Sequence, residues 1–126
     1  MLKWIATLIF LIDILFAVLC HGETLTASYY SLASLKAEGT FKTSQGVMAN
    51  GELFKDDDMV CATRLYPLYS VLKVRCLKTN KSVVVVVKDR IGKRFAKTRI
   101  DLSKGAFRQI APIKWGITKV EVTRIK

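Results

Sequence analysis

Five consecutive valines over residues 83–87 constrain the fold of this chain more than any other feature. β-Branched residues favour extended backbone, and a run that is apolar on both faces suits a strand packed on both sides, as inside a small barrel. Residues 70–79 alternate between apolar and polar, which is the period of a half-buried strand and turns Cys76 inward. Asn80 and Lys81 form a tight turn between the two segments. The sequence therefore predicts a central hairpin in a β-rich fold.

Further strands and one short helix follow from the remaining patterns. Residues 24–32 have the composition of a strand, and residues 117–125 alternate like residues 70–79. Ser103 begins a short helix that Pro112 stops. Several strands with one short helix and no internal repeat predict a mainly β, closed or nearly closed barrel, because closure removes exposed strand edges.

The segment between residues 33 and 51 carries glycines and an asparagine among polar residues. Such composition is typical of surface loops, so we expect little regular structure there. Asp101 and Ser103 are expected to cap the helix and fix the chain crossing rather than to touch a substrate.

The beginning of the chain has the pattern of an export signal. Lys3 is followed by an almost unbroken apolar stretch over residues 4–20, after which the sequence becomes polar. We expect a signal-peptide helix over residues 1–22, cleaved before Glu23. The alternative is an uncleaved anchor, although Asp13 would cost roughly 3 kcal/mol at the centre of a spanning helix.

Residues 23–126 suffice for one domain with a modest core. The net charge of +11 indicates anionic surroundings, which for an exported protein are cell-wall polymers, anionic lipid head groups or polysaccharide rather than nucleic acid. We expect no nucleic-acid partner, because no module of that kind is present. We expect a monomer located in the periplasm or outside the cell, in contact with the membrane only through the signal segment if that segment is retained.

The cysteines favour a disulfide. Cys20 lies in the signal segment, and Leu19 before it disfavours lipid attachment, so Cys61 and Cys76 remain as an even pair in an exported domain. The alternative is two buried free thiols. No metal or other cofactor is expected, because the single histidine, His21, also lies in the signal segment and no second cysteine pair completes a tetrahedral set.

Four motifs together resemble a known family. They are Ala-Ser-Tyr-Tyr at residues 27–30, Met-Ala-Asn-Gly-Glu-Leu-Phe at 48–54, the valine strand with Asp-Arg at 82–90, and Arg-Ile-Asp-Leu-Ser with an alanine at 99–106. In this order and spacing they resemble the RlpA-like (rare lipoprotein A) double-psi β-barrel family. The resemblance implies a six-stranded double-psi barrel with one or two short helices.

The resemblance also implies a function. The family's enzymes are lytic transglycosylases that cut the glycan strand of peptidoglycan, whereas expansins, relatives of the same fold, loosen polysaccharide without cutting it. The implied catalytic pair is Glu52, as general acid and then base, with Asp89 as its electrostatic partner. The expected substrate-binding residues are Tyr29, Tyr30, Asn50, Arg64 and Arg90.

Three departures from the family pattern bear on that function. Thr63 or a neighbour stands where catalytic members place a histidine, the side chain that transfers protons most readily near neutral pH. Ile91-Gly92 replaces a common Gly-Pro, and Leu68-Tyr69 replaces Phe-Gly. The alternative is therefore a non-catalytic polysaccharide-binding or expansin-like barrel, and a third possibility is a secreted effector or inhibitor that uses the barrel for protein contacts.

Overall fold

The computed structural model describes residues 22–37 and 46–126, so the expected signal segment lies outside the described residues except for Gly22. No helix within these two ranges is long and apolar enough to cross a membrane. The strands are β1 (Glu23–Tyr30), β2 (Val60–Ala62), β3 (Val71–Cys76), β4 (Ser82–Asp89), β5 (Arg99–Ser103) and β6 (Ile117–Arg124). The helices are α1 (Leu32–Ala37) and α2 (Lys104–Ile110), with 3-10 turns at Lys93–Phe95 and Ile113–Trp115.

The six strands close into a barrel in the order β1-β5-β2-β4-β3-β6, and β6 pairs back with β1. β1 runs parallel to β5 and β2 runs parallel to β4, whereas the other four pairings are antiparallel. Closure leaves none of these six described strands with an unpaired edge. The predicted six-stranded, mainly β barrel is confirmed.

The valine strand shows how the barrel separates inside from outside. Val83, Val85 and Val87 are buried in the core, whereas half of the Val84 surface is exposed beside its β3 partner Lys73. The prediction that both faces of this strand are packed was therefore wrong. In a closed barrel only alternate side chains reach the interior, and nothing in the described part of the chain covers Val84 on the outside.

Both helices are fixed by side chains of Ser or Asp. The Ser103 hydroxyl accepts a hydrogen bond from the Ala106 amide at 3.1 Å, which confirms the predicted cap of α2. The prediction of an irregular segment after residue 32 was wrong in part, because α1 occupies its beginning. The Leu32 amide at the start of α1 donates to Asp56 Oδ1 at 2.8 Å, a contact between residues far apart in the sequence that local composition does not reveal.

A β-bulge interrupts the pairing of β2 with β4. Val60 pairs with Val86 and Cys61 with Val87, but Ala62 pairs with Asp89, so Lys88 is an extra residue on β4. A bulge shifts the alternation of side chains by one position. Asp89 therefore lies on the outer surface beside Ala62 instead of following Val87 into the core.

The predicted disulfide between Cys61 and Cys76 was wrong, since both are buried free thiols. Cys61 lies beside Val87 on β4, whereas the Cys76 amide bonds to the Lys81 carbonyl at the other end of the same strand. Six residues of extended strand span roughly 20 Å, while a disulfide needs Cα atoms within about 7 Å. Both side chains point inward, as expected for Cys76, but they lie at opposite ends of the barrel.

Thiol labelling tests this placement. Burial raises the pKa of the Cys61 thiol to about 12, so it remains protonated and unreactive in the folded protein. At Cys76 burial acts to raise the pKa, but hydrogen bonds with Thr118 and Thr79 outweigh burial and lower the pKa, so this fully buried thiol is protected by its lack of solvent access alone. We expect mass spectrometry to find Cys61 and Cys76 unmodified after alkylation of the native protein, and both alkylated after denaturation without reductant. A peptide pair linked through the two sulfurs would contradict the structure.

Candidate functional site

A cleft of about 590 Å³ lies on the outer surface of the barrel over β1, β5 and β2. One wall is the segment 46–54, which folds back on itself through paired Val47 and Leu53 and is anchored by the buried Phe54. Phe95 also lines the cleft, and its ring lies 4.6 Å from the Arg99 guanidinium. The cleft is open to solvent and mixes apolar walls with a polar floor.

Strand register determines the floor of the cleft. Ser28 on β1 is level with Asp101 on β5, Asp101 with Ala62 on β2, and Ala62 with Asp89 on β4. Adjacent strands lie about 4.8 Å apart, so the Cα atoms of Asp89 and Asp101 are separated by roughly 10 Å. Because Ala62 between them carries only a methyl group, the two carboxyl groups face the same space.

Asp101 has the environment of a proton donor. Burial raises the pKa of the Asp101 carboxyl, and the nearby Asp89 charge acts in the same direction, against the hydrogen bond from the Ser28 hydroxyl and the charge of Arg99. The expectation that Asp101 fixes the chain crossing missed this position in the cleft. Its alternation with the buried Ile100 and Leu102 was the available signal that it faces outward.

Asp89 is fixed in the cleft by two backbone amides. Its Oδ1 accepts hydrogen bonds from the Ala49 amide at 3.0 Å and from the Arg90 amide at 2.8 Å. The Asn50 amide donates to the Lys88 carbonyl at 3.1 Å, so the wall segment is tied to the bulge at two successive residues. Asp89 thus lines the cleft, and its catalytic role stays a prediction.

Glu52 lies next to the cleft but does not line it. Its carboxylate forms a 2.6 Å ion pair with Lys88 and is 54% exposed. The hydrogen bond from Lys88 holds the pKa of Glu52 below its usual range, and Asn50 and the Lys88 charge act in the same direction. The structure therefore brings Asp89 together with Asp101, and leaves Glu52 ionised at the rim.

The two predicted tyrosines alternate across β1. Tyr29 packs against Phe107 at a ring distance of 5.0 Å, and Tyr30 stacks on Phe54 at 4.4 Å. Both also contribute to the cleft. The Tyr30 hydroxyl is buried without a hydrogen-bond partner among the described residues, and burial raises its pKa above the usual value.

The remaining predicted binding residues largely support the loops. The Arg90 guanidinium donates to the Thr63 and Tyr66 carbonyls, both at 2.7 Å, although its side chain also lines the cleft. Arg64 Nε donates to the Ile91 carbonyl and lies outside the cleft. Asn50 Oδ1 accepts from the Glu52 amide at 3.0 Å, which shapes the wall segment.

Thr63 lies at or next to the place where the resemblance expects a histidine. It is fully buried, and its hydroxyl accepts a hydrogen bond from the Leu65 amide at 3.1 Å. This side chain therefore stabilises the loop after β2 and offers no proton donor to the cleft. Among the described residues, no cluster of histidine, cysteine and carboxylate side chains could hold a metal ion.

Related sequences share this domain. The chain is 41% identical over 78 residues to an uncharacterised Synechocystis protein, covering 62% of this chain and 81% of that protein. It is 38% and 35% identical to proteins named endolytic peptidoglycan transglycosylase RlpA from Campylobacter jejuni and Rickettsia bellii, covering 59% and 79% of this chain. The matched segments make up 26% and 41% of those two proteins, so the chain spans less than half of either one.

Solved structures share the fold. A Streptomyces papain inhibitor superposes with a TM-score of 0.60 at 19% identity, covering 84% of this chain and 97% of the inhibitor. A Clavibacter michiganensis expansin crystallised with cellohexaose gives a TM-score of 0.59 at 19% identity, covering 82% of this chain and 51% of the expansin. The family model described as lytic transglycolase matches residues 23–122. The chain therefore belongs to this lytic transglycolase family and has its RlpA-like double-psi β-barrel fold.

Proposed function

We propose that this protein cleaves the glycan strand of peptidoglycan by the lytic transglycosylase reaction. The observation that carries the proposal is the pair of carboxyl groups in one cleft, with Asp101 shifted toward its protonated form beside Asp89. Membership of the family and the names of the two RlpA relatives support the same reaction. The cleft has the size and the mixed polar and apolar lining that a sugar chain requires.

The proposed reaction has two stages, cleavage of the glycosidic bond and closure of the anhydro ring, and Asp101 transfers one proton in each. Protonated Asp101 donates its proton to the glycosidic oxygen as the C1–O bond breaks, and the charge of Asp89 stabilises the oxocarbenium character that develops at C1. The 6-hydroxyl of the same muramyl residue then attacks C1, and the Asp101 carboxylate takes up the hydroxyl proton. The products are a 1,6-anhydro end and a free 4-hydroxyl, and Asp101 is protonated again.

Glu52 is the other candidate for the general acid, as the sequence resemblance implies. An acid must hold its proton near the working pH, whereas the Lys88 hydrogen bond favours ionised Glu52. We therefore assign the proton transfer to Asp101, and we assign to Glu52 a supporting position at the rim. Substitution of each carboxylate separates the two assignments.

A non-catalytic polysaccharide-binding or expansin-like function is the second candidate. The observation that favours it is the buried Thr63, which leaves the described part of the chain without a histidine at the expected place. The similarity in fold to an expansin crystallised with cellohexaose is compatible with it. Such a protein would use the same cleft to hold a glycan without breaking it.

The proposed substrate also determines where in the cell the protein would act. We propose that residues 1–22 direct export and that residues 23–126 act as one domain in the cell envelope, because peptidoglycan lies outside the cytoplasm. N-terminal sequencing of the exported protein is expected to begin at Glu23. A sequence beginning at Met1 would indicate a retained segment instead.

Carboxylate substitutions test the catalytic assignment. We expect Asp101→Asn and Asp89→Asn each to lower the rate of cleavage at least about a hundredfold, because each removes a group that acts on the reacting atoms. Glu52→Gln is expected to lower the rate less than about tenfold. The measurement is mass spectrometry of 1,6-anhydro ends released from purified glycan strands, with cosedimentation of each variant on peptidoglycan as the control for binding.

Two outcomes would contradict this assignment. Loss of cleavage in Glu52→Gln with activity retained in Asp101→Asn would identify Glu52 as the acid. Binding by the unsubstituted protein and all three variants without any anhydro ends would support the non-catalytic function.

The raised pKa of Asp101 also predicts a pH-dependent stability. The folded protein holds this proton more tightly than the unfolded chain, so the contribution of Asp101 to stability is present at low pH and is lost as pH rises through its folded pKa. Asp101→Asn keeps an oxygen that can accept from Ser28 but cannot ionise. We expect this variant to melt a few degrees higher than the parent at neutral pH, with the difference disappearing near about pH 3. A difference of equal size at both pH values would contradict the shift.

A further inference from the structure

Tyr69 has a backbone conformation that bulky residues rarely adopt. Its φ is 71°, in the left-handed region that favours glycine. Asn80 is the other described non-glycine residue with positive φ, but it lies in the turn between β3 and β4, where asparagine is common. The Tyr69 side chain is 61% exposed, so burial of its ring offsets little of the strain.

The next residue adds a second local cost. The Ser70 hydroxyl is buried and has no hydrogen-bond partner within the described ranges. The strained backbone and the unsatisfied hydroxyl each cost free energy of folding. Both persist only because contacts elsewhere in the structure offset that cost. Strained positions of this kind concentrate at binding and catalytic sites, where the displayed side chain has a role.

Backbone hydrogen bonds hold Tyr69 next to the cleft. The Tyr69 amide donates to the Val87 carbonyl at 2.7 Å, and the Val87 amide donates to the Ser70 carbonyl at 2.9 Å. Two consecutive residues, Tyr69 and Ser70, therefore bond to Val87, which is the two-against-one pattern of a β-bulge at the end of the β3–β4 pairing, next to Lys88. The hydrogen bond with Glu52 is the main cause that raises the pKa of Lys88, and Tyr69 also raises it, which is consistent with a position of Tyr69 near Lys88.

Tyr69 therefore lies one strand beyond the floor of the cleft, beside the Lys88–Asp89 bulge. The row runs across five neighbouring segments of the barrel and consists of Ser28, Asp101, Ala62, the Lys88–Asp89 bulge and Tyr69. At about 4.8 Å per strand, the row measures roughly 19 Å along the curved surface. A row of that length accommodates several consecutive sugar rings. The cleft covers the row from Ser28 to Asp89, and Tyr69 lies outside it.

We propose that Tyr69 forms an outer sugar-binding subsite, on which one ring of the glycan stacks after the chain leaves the cleft past Lys88. This inference rests on the proposed glycan substrate, and it implies that the site prefers long glycan strands to short ones. The axial C–H groups of a pyranose present an apolar, weakly positive face that complements the negative face of an aromatic ring. An aromatic ring held by a fixed backbone loses little conformational entropy on binding.

The test compares long and short glycans on the full-length protein. The probes are peptidoglycan glycan strands freed of stem peptides and a disaccharide fragment of the same strands, and affinities are measured in the Asp101→Asn background to prevent cleavage. We expect Tyr69→Gly to bind the long strands about tenfold more weakly and the disaccharide equally well. Tyr69→Phe is expected to keep the affinity for both.

Stability provides an independent readout of the same variant. Because glycine relieves the strain at φ 71°, Tyr69→Gly is expected to melt no lower than its parent, so weaker binding cannot be attributed to unfolding. Tyr69→Ala removes the ring but keeps the strain, and is expected to melt below Tyr69→Gly. Asn80→Gly is the matched control, since it relaxes the other positive φ and is expected to leave the binding of long strands unchanged.

Two results separate failure of the subsite from failure of the proposed function. Ala62→Leu fills the floor of the cleft and is expected to abolish binding of both probes. If Ala62→Leu abolishes binding but Tyr69→Gly binds long strands as its parent does, the outer subsite is overturned and the cleft assignment stands. If the parent binds neither probe, the glycan function itself is overturned.

Discussion

The site depends on one extra residue in the pairing of β2 with β4. Without Lys88 as a bulge, Asp89 would follow Val83, Val85 and Val87 into the barrel, where a carboxylate without partners costs several kcal/mol. The bulge places Asp89 on the outer surface instead, where two backbone amides bind it. It also presents the Lys88 carbonyl to the Asn50 amide, so the wall of the cleft is attached at the same point that reorients the acidic group.

Features that depend on neighbouring residues could be predicted from the sequence, and features that depend on strand order could not. Alternation predicted β3 and β6, and the Ser103 cap predicted α2, because each is determined within a few residues. The failure of the disulfide has a different origin, since an even pair of cysteines in an exported domain says nothing about the separation of Cys61 and Cys76 along the barrel. Asp101 faces Asp89 only because β2 lies between β4 and β5, an arrangement of segments far apart in the chain.

The three acidic residues also show why residue type alone does not assign a role. Glu52 satisfies a motif, but its carboxylate is exposed and paired with Lys88, which favours the ionised form. Asp101 was expected to be structural, yet partial burial beside Asp89 favours its protonated form. Desolvation and neighbouring charge thus decide which carboxyl can donate a proton, and both depend on how far each side chain lies from solvent.

Residues that cost stability lie in the row that crosses the outer surface or in the cleft above it. Asp101 is a half-buried acid, Tyr69 has a strained backbone, and the Tyr30 hydroxyl is buried without a partner in the described part of the chain. Elsewhere the sequence agrees with its local structure, as in the inward valines of β4 and the Asn80 turn. Because proteins retain such conflicts mainly where function requires them, their concentration in the cleft and at its extension is an independent reason to regard this surface as the binding surface.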